Sequence, residues 1–478
     1  MADSLSDPNP ADSGSGQIRL KKELGLLEGV AVILGIIIGS GIFITPADIL
    51  NRVGSVGVSL LVWTVCGLMS MLGAVSFAEL GTTIPRSGGN YAYLDECFGS
   101  LPAFLFLWTA NVIFVPVTNA VMGLTFGRYV RQPFLPNCRE DDIEVKLLAA
   151  LAISLLSFIN CVNMRATTRL QNLFMVCKVL ALVLVIIVGF VTMATGGNES
   201  FSGAFDNVTN NPSLLASAFY AGIYSFTGWN YLNYMTEELR DPYKNLPRAI
   251  YISLPLVTVI YVLANVGYLA VLSPVEMKNS AAIAVSFAEK TLSGFSWIMP
   301  VLVAVSSFGA LGISILTSSR LCFVGARNGH FPGFLSMINV KYLTPIPALV
   351  LMCALSLFYL VVGDVDTLIT YGTFAETVFI MLPVVGLIYL RWKRPDLARP
   401  IKSHIAVPVS YVLISGFVVV MSCYESAKEV GIGLLIILTG VPVYYAFIHE
   451  PTRVSSVSRL SDSMSRFTQK MFYTSKEE

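Results

Sequence analysis

The chain has 478 residues, of which 55% are hydrophobic and 13% are charged, and its mean hydropathy is +0.70. Soluble domains carry about 25% charged residues, so this composition excludes a soluble enzyme with a few apolar helices attached. The formal net charge of +1 provides no basic surface of the kind that binds nucleic acid.

The chain begins with a tail and continues as one long apolar domain. Residues 1–24 are rich in Asp, Ser, Pro and Gly and lack the basic start of a signal peptide, so we expect a disordered tail. About twelve apolar segments follow within residues 25–448, each close to the ~20 residues that cross a bilayer. They lie at about 25–50, 56–81, 101–127, 145–162, 172–194, 213–236, 249–272, 295–320, 345–363, 366–391, 405–424 and 430–448. The sequence therefore predicts an all-α membrane protein.

The first predicted span is interrupted at its centre. It reads "GIIIGSGIFITP", with Gly39, Ser40 and Gly41 in the middle. Each glycine in a helix interior costs about 1 kcal/mol relative to alanine. Close packing of neighbouring helices on small residues is one explanation. The other is a broken helix whose unpaired backbone groups line a cavity, since bare peptide groups are not tolerated against lipid.

Three features lie between this span and the sixth. Cys138 is in a predicted outer loop with no obvious partner in the chain, which indicates either an intermolecular disulfide or a free thiol. Lys178 is a charge inside the fifth predicted span, which requires a partner or snorkelling to the near end. Asn198 and Asn207 begin glycosylation sequons in a loop that is also predicted to be external. Most Lys and Arg residues fall in the opposite loops and tails, so both termini are predicted to be cytoplasmic.

The sixth predicted span carries a second interruption, "GIYSFTGWNYLNY", from Gly222 to Tyr234. The first and sixth spans correspond if the chain consists of two five-helix repeats of opposite topology followed by two further helices. Paired breaks at equivalent positions are a known indication of a transporter binding site. The N–H groups at the start of a half-helix suit a carboxylate, and free carbonyls suit an ammonium group. Two such breaks predict a site for a free α-amino acid.

Two features follow towards the C-terminus. Glu376 lies near the middle of the tenth predicted span and has three interpretations: a structural acid, a pocket residue that accepts polar or cationic side chains, or a proton-coupling group. Residues 449–478 form a predicted cytoplasmic tail with a short amphipathic helix. Its apolar positions are Val457, Leu460, Met464, Phe467 and Met471. This helix suits the membrane surface or a position beneath the helix bundle.

Other functional classes are disfavoured. The three histidines, His330, His404 and His449, fall at predicted cytoplasmic loops or helix ends with no metal-binding spacing. No catalytic constellation points to an enzyme, and no ring of charges or filter loop points to a channel. We expect neither a metal nor a cofactor.

Several segments together resemble the light chains of heteromeric amino-acid transporters, which are L-type exchangers of the amino acid–polyamine–organocation superfamily. These segments are "LKKELGLLEGVAVILGIIIGSGIFITP", "FAELGTTIPRSGGNYAYL", "GWNYLNYMTEELRDPYKNLPRAI", "SSRLCFVGARNGHFP", "RWKRPDLARPIK" and "GIGLLIILTGVPVYY". The resemblance implies a LeuT-type inverted repeat of five plus five helices with two extra helices, and sodium-independent exchange. It also implies a single-span glycoprotein heavy chain, joined through Cys138, at the plasma membrane.

The resemblance also implies roles for single residues. The substrate carboxylate would meet the backbone of Ser40 and Gly41, and the ammonium group would meet carbonyls of Ile37, Tyr224 and Thr227. Tyr224 would close over the substrate, while Trp229 and Asn230 would occupy pocket and helix-support positions. Lys178 would fill the place of a sodium ion in sodium-driven relatives.

Two positions bear on substrate choice. Val115 stands where several relatives have a basic residue, and Glu376 would repel an anionic side chain. Cystine/glutamate exchange is therefore disfavoured. We expect exchange of neutral L-amino acids, including large and aromatic ones, and exchange of neutral plus cationic amino acids stays open.

Overall fold

A computed structural model describes residues 24–476 except positions 85, 87, 135–142, 163, 198, 281, 293, 363–364, 426 and 450–454. Residues 1–23 of the expected N-tail, Cys138 and Asn198 therefore lie outside the described residues. The α-helices of the described part, in chain order, are α1 Leu26–Ile37, α2 Gly41–Val53, α3 Val56–Thr83, α4 Asn90–Phe98, α5 Ser100–Thr109, α6 Val115–Arg131, α7 Ile143–Val162, α8 Met164–Ala194, α9 Pro212–Ser225, α10 Pro242–Val271, α11 Pro274–Asn279, α12 Ile283–Thr291, α13 Ile298–Arg327, α14 Ile346–Val362, α15 Val365–Lys393, α16 Ala406–Glu425, α17 Ala427–Tyr444 and α18 Ser455–Phe472.

Short helices of other types and two strands complete the described structure. The 3₁₀ segments are Glu199–Phe201, Tyr231–Glu238 and Gly333–Ser336, and the π-helical segments are Ala110–Phe114 and Tyr445–His449. The strands are β1 Met337–Asn339 and β2 Thr474–Lys476.

The apolar segments of the sequence form membrane-length helices. Nine helices of the described part are long and apolar enough to cross a membrane, and α1 with α2 makes a tenth when this bent pair counts as one span. The two other predicted spans contain shorter helices, α9 with 14 residues and α14 with 17. In a helix the backbone N–H and C=O groups bond to one another, and they need no partner from lipid, whose acyl chains offer none. The prediction of an all-α, multi-pass membrane protein is confirmed.

Some helices extend beyond their apolar stretch. α8 begins at Met164 and α10 at Pro242, about two turns earlier than the hydropathy of these segments predicts. Pro242 stands at the first helical position, where its missing N–H removes a donor that would have no partner in the helix. Hydropathy detects only the apolar part of such a helix, so the predicted spans begin later than the helices that contain them.

The spans divide into a buried centre and an outer layer. In α13, 72% of the most apolar 18-residue stretch is buried inside the protein, compared with 17% in α17. α13 packs against α6, α8 and α1, whereas α17 packs against α5 and α15 at the outside. Exposed Leu, Val and Phe side chains on α8, α16 and α17 suit contact with lipid acyl chains.

Each end of the described chain is paired with another segment at one face of the bundle, called here the terminal face, which carries Leu24, β1 and β2. The backbone N–H of Leu24 donates to the carbonyl of Glu238 at 3.1 Å, and the N–H of Arg240 donates to Leu24 at 2.7 Å. β2 pairs antiparallel with β1, with Ile338 opposite Ser475. The segment after the second half of the sixth span is thereby fastened to the N-terminal segment.

Charged residues at the terminal face form partly or fully buried ion pairs. Glu79 is fully buried and accepts hydrogen bonds from Arg391 Nε at 2.9 Å and from Ser403. Glu238 and Arg320 are each 2% exposed and lie 2.7 Å apart. A third pair joins Glu237 and Arg327 at 3.0 Å, closer to solvent. Each of these three acids therefore has an arginine partner.

The amphipathic helix of the C-tail is α18. The side chains of Val457 and Leu460 lie outside the described part, while Met464, Phe467 and Met471 are exposed. α18 also packs against α14 and the 3₁₀ segment Gly333–Ser336, so it lies against the end of the bundle while its exposed apolar side chains suit the membrane surface.

Candidate functional site

The first span is broken where the sequence places its glycines. α1 ends at Ile37, residues 38–40 are not helical, and α2 begins at Gly41 with a bend of 43°. Within the described part, the backbone N–H groups of Ser40, Gly41 and Ile42 donate no hydrogen bond. The helix is interrupted just before them, so no carbonyl one turn earlier is in position to accept. The start of α2 is therefore a partly positive helix end with unused donors.

The second break lies between α9 and the 3₁₀ segment Tyr231–Glu238. α9 ends at Ser225 and residues 226–230 form a turn. Gly228 has φ +103°, a conformation that L side chains rarely adopt. The far half of this span continues in the tighter 3₁₀ geometry, so its backbone is less regular than that of α2.

The two breaks are in direct contact. A Cβ atom built on Gly41 would lie 2.7 Å from Ser225 Cα, and one built on Gly228 would lie 2.0 Å from Ile36 Cγ2. The hydroxyl of Thr45 is 2.7 Å from that of Ser225. Glycine is therefore needed on both sides, because any side chain would separate the two broken spans.

A small cavity lies between the breaks and is called here the break cavity. Six residues that the sequence singles out line it: Ile37, Gly39, Ser40, Gly41, Tyr224 and Thr227. Five further lining residues were missed: Ile36, Thr118, Met122, Ser225 and Tyr231. The cavity volume is about 20 Å³, enough for roughly one water molecule. The Tyr224 hydroxyl lies 3.4 Å from Ser40 Oγ, so the aromatic side chain stands over the first break.

The three carbonyls expected to hold an ammonium group differ in how many hydrogen bonds they already accept. The Ile37 carbonyl already accepts the Gly39 N–H at 2.7 Å and the Tyr261 hydroxyl at 2.6 Å. The Tyr224 carbonyl accepts the Thr227 N–H at 3.1 Å. No described hydrogen bond reaches the carbonyl of Thr227, which leaves it as the most available acceptor of the three.

Lys178 fastens the fifth span to the first. It is 1% exposed, and its Nζ donates to the carbonyl of Gly35 at 2.5 Å, one turn before the break. The side chain does not snorkel towards solvent. An ammonium group here compensates a carbonyl near the end of α1, where the helix dipole is negative.

A second cavity lies beside the first and is called here the Glu376 cavity. Trp229 and Glu376 line it, and Thr227 lines both cavities. Its volume is about 30 Å³. Glu376 is 7% exposed and belongs to α15, so the structure brings it to the neighbourhood of the breaks without placing it in the break cavity.

The remaining predicted residues lie elsewhere. Asn230 lines neither of these cavities; it is buried, and its Nδ2 donates to the Tyr234 hydroxyl at 3.4 Å, which fits a helix-support position. Asn207 is exposed in the loop between α8 and α9 and has φ +58°.

Some site residues could not have been identified by sequence pattern. Tyr261 reaches the first break from α10, and Ser306 from α13 donates to the Ile38 carbonyl at 3.3 Å. Each is an ordinary residue of an apolar span, more than 200 positions from its partner. Only the packing of the helices reveals these contacts.

The comparison with known families agrees with this geometry. The sequence model of the family described as "Amino acid permease" matches residues 24–448, which include both breaks and Glu376. This chain belongs to the amino acid permease family.

The permease is similar along most of its length to three named transporters. It is 47% identical to "Large neutral amino acids transporter small subunit 2" of Homo sapiens, over 98% of this chain and 88% of that protein. It is 46% identical to "Asc-type amino acid transporter 1" of Mus musculus, over 96% of this chain and 87% of that protein. The "Cystine/glutamate transporter" of Homo sapiens is 42% identical, over 92% of this permease and 88% of that protein.

Proposed function

We propose that this permease is a sodium-independent exchanger of neutral L-amino acids, including large and aromatic ones. The observation that carries the proposal is the direct contact of two broken helices around the break cavity. Similarity to amino-acid transporters over almost the whole chain supports it. No enzymatic activity is part of the proposal.

A free amino acid fits the breaks because its two charges are held by peptide groups. The carboxylate accepts hydrogen bonds from the N–H groups of Ser40, Gly41 and Ile42, which have no described partner. The ammonium group donates to the Thr227 carbonyl and, after local rearrangement, to those of Ile37 and Tyr224. Neither contact requires a charged side chain of the protein, so the backbone of every α-amino acid is bound in the same way. The side chain of the substrate alone then sets selectivity.

The break cavity is too small for this substrate in the conformation described. A volume of about 20 Å³ must increase before an amino acid enters. Tyr224 moves away from Ser40 as the outer lid, and the terminal-face contacts of Leu24 and Glu238 open on the other side. Alternate opening of these two barriers gives exchange.

Lys178 replaces a coupling cation in this proposal. Its ammonium group holds the Gly35 carbonyl, and a cationic group that belongs to the chain itself removes the need for sodium. Wild-type exchange should therefore proceed equally in sodium chloride and in choline chloride.

The subunit arrangement follows the family resemblance. A heavy-chain glycoprotein with a single span is bound through Cys138, and the permease is the transporting light subunit at the plasma membrane with both termini cytoplasmic. The terminal face is then the cytoplasmic face. The name of one relative, "Large neutral amino acids transporter small subunit 2", supports a partner chain.

The proposal is tested with the full-length permease and its heavy chain in proteoliposomes. Uptake of labelled leucine is compared between vesicles preloaded with unlabelled leucine and empty vesicles, in sodium and in choline. We expect preloading to raise the initial rate at least about tenfold in both salts, because an obligatory exchanger cannot return empty. Equal rates in loaded and empty vesicles would contradict exchange.

The Lys178→Met variant tests the sodium surrogate separately. Removal of the ammonium group leaves a buried carbonyl without its donor, which costs about 1–3 kcal/mol. We expect the exchange rate to fall at least about tenfold, since the first span loses its attachment to α8 near the break. Lys428→Met, at an exposed position, is the control. Full activity of Lys178→Met in choline would refute this role.

A further inference from the structure

The Glu376 cavity has a chemistry different from that of the break cavity. Its walls come from four spans and include Ser70 of α3, Trp229 of the second break, Glu376 and Thr373 of α15, and Tyr411 of α16. These side chains supply a carboxylate, hydroxyl groups and two aromatic rings. No Lys, Arg or His belongs to the described lining.

Among the described residues, no Lys, Arg or His forms an ion pair with the carboxylate of Glu376. It is 7% exposed, and Oε1 has no hydrogen-bond partner in the described part of the chain. The hydroxyl of Thr377, one residue further along α15, is already bonded to the Thr373 carbonyl at 2.7 Å. A buried carboxylate without a partner is unfavourable by several kcal/mol. A positive ligand group would remove that penalty.

The Glu79 and Glu238 carboxylates provide an internal comparison. Both are buried in the same protein, and both are paired with arginine. Structural acids of this permease therefore receive a cation from the chain itself. In the part of the chain that the structure describes, Glu376 has no such arginine, which sets it apart from Glu79 and Glu238.

The Glu376 cavity adjoins the proposed binding site for the charged groups of the substrate. Thr227 lines both cavities, and its carbonyl is the acceptor available to a substrate ammonium group. A substrate held there by its backbone charges directs its side chain past Thr227 towards Glu376. Trp229 and Tyr411 add aromatic surfaces, which attract a cation as well as apolar carbon.

We propose that the Glu376 cavity is the side-chain subsite of the permease and that it selects side chains ending in a positively charged nitrogen, as in lysine. This inference rests on the proposed amino-acid exchange and extends it to cationic substrates. Neutral substrates enter the same subsite with their apolar side chains against Trp229 and Tyr411. The Glu376 carboxylate allows a side chain that ends in an ammonium group to bind there as well.

Competition between two matched amino acids tests the subsite. Lysine and norleucine differ by a terminal ammonium group on the same carbon chain. Their half-inhibitory concentrations are measured against labelled leucine exchange in proteoliposomes that contain the full-length permease with its heavy chain. We expect the value for lysine to lie within about tenfold of that for norleucine, whereas an apolar pocket would weaken lysine by about 1,000-fold or more.

Two variants of Glu376 and one control locate the effect. In Glu376→Gln the ratio of the lysine value to the norleucine value should rise at least about tenfold, because the ammonium group loses its partner. In Glu376→Asp, which keeps the charge, the ratio should rise less than in Glu376→Gln. Glu289→Gln removes an exposed carboxylate outside the site and should leave the ratio unchanged.

The outcomes separate this inference from the proposed function. Lysine more than about tenfold weaker than norleucine in the wild-type permease would overturn the subsite even if leucine exchange is normal. An unchanged ratio in Glu376→Gln would do the same. Absence of leucine exchange in loaded vesicles would instead refute the proposed function. If Glu376→Gln cannot be reconstituted into proteoliposomes, the lysine and norleucine values of the wild type and of Glu376→Asp still test the subsite.

Discussion

Gly41 and Gly228 set the distance between the two broken spans. Gly41 packs against the backbone of Ser225, and Gly228 combines a left-handed conformation with a close approach to Ile36. Ser225 is held in turn by the hydroxyl of Thr45 on α2. The site thus depends on two missing side chains as much as on the groups that are present.

Substitution of Gly41 tests this contact. In Gly41→Ala the new methyl group would lie 2.7 Å from a backbone carbon that cannot rotate away. Such overpacking costs about 1–3 kcal/mol and shifts the backbone. We expect exchange of labelled leucine to fall at least about tenfold, because displaced N–H groups would no longer face the proposed position of the substrate carboxylate.

Gly416→Ala is the matched control for this substitution. Gly416 lies in α16 with no atom within 4 Å of an added Cβ. Its variant should transport like the wild type and melt at the same or a higher temperature, since alanine favours a helix. Normal exchange by Gly41→Ala at equal surface expression would refute the close-contact explanation.

At the level of elements, the terminal face joins α4 to the segment that follows α13. His330 comes three residues after the end of α13, and its Nδ1 lies 3.0 Å from the Tyr91 hydroxyl of α4. The two rings also meet edge to face, with centroids 5.4 Å apart. Burial lowers the pKa of His330 below its usual 6.5, and the negative charge of Asp95 only partly opposes this. The neutral imidazole, which hydrogen-bonds with the Tyr91 hydroxyl, is therefore the form that suits the fold.

This contact predicts a pH dependence of stability. Because the pKa of His330 is lower in the folded chain, the unfolded chain binds the proton at a higher pH. The contribution of His330 is fully present above its usual pKa of 6.5 and is lost as the pH falls through the lowered folded value. We expect the melting temperature in detergent to fall between about pH 7.5 and pH 5.5, and to fall less in His330→Gln, which cannot titrate. Equal decreases in both proteins would show that His330 does not sense pH.

At the scale of the whole molecule, the sequence was sufficient for the membrane class, the two breaks and most residues of the break cavity. Apolar segments without charged residues have to become helices in lipid, and glycine pairs in such segments mark the places where the helix fails. The partners of the breaks were not predictable. Tyr261 and Ser306 act through helix packing over long sequence distances, and nothing in the local pattern separates them from other span residues.

The relation of Glu376 to the site also required the fold. Its sequence position is consistent with a structural acid, a pocket residue or a proton-coupling group. The structure places it in a cavity beside Thr227 and Trp229, apart from the backbone donors of the first break. Helix lengths could not be predicted from hydropathy either, since α8 and α10 include polar residues that precede their apolar segments.

The capture of a zwitterion by two broken helices is tested most directly by ligands that lack one of the two charges. Leucine, isopentylamine and 4-methylpentanoate share one side chain, and the last two lack the carboxylate or the ammonium group. Each is used to inhibit exchange of labelled leucine by the wild-type permease in preloaded proteoliposomes. We expect both analogues to inhibit at least about 100-fold more weakly than leucine, because each leaves one set of buried peptide groups unpaired. Inhibition by either analogue as strong as that by leucine would show that the breaks do not grip both ends of the substrate.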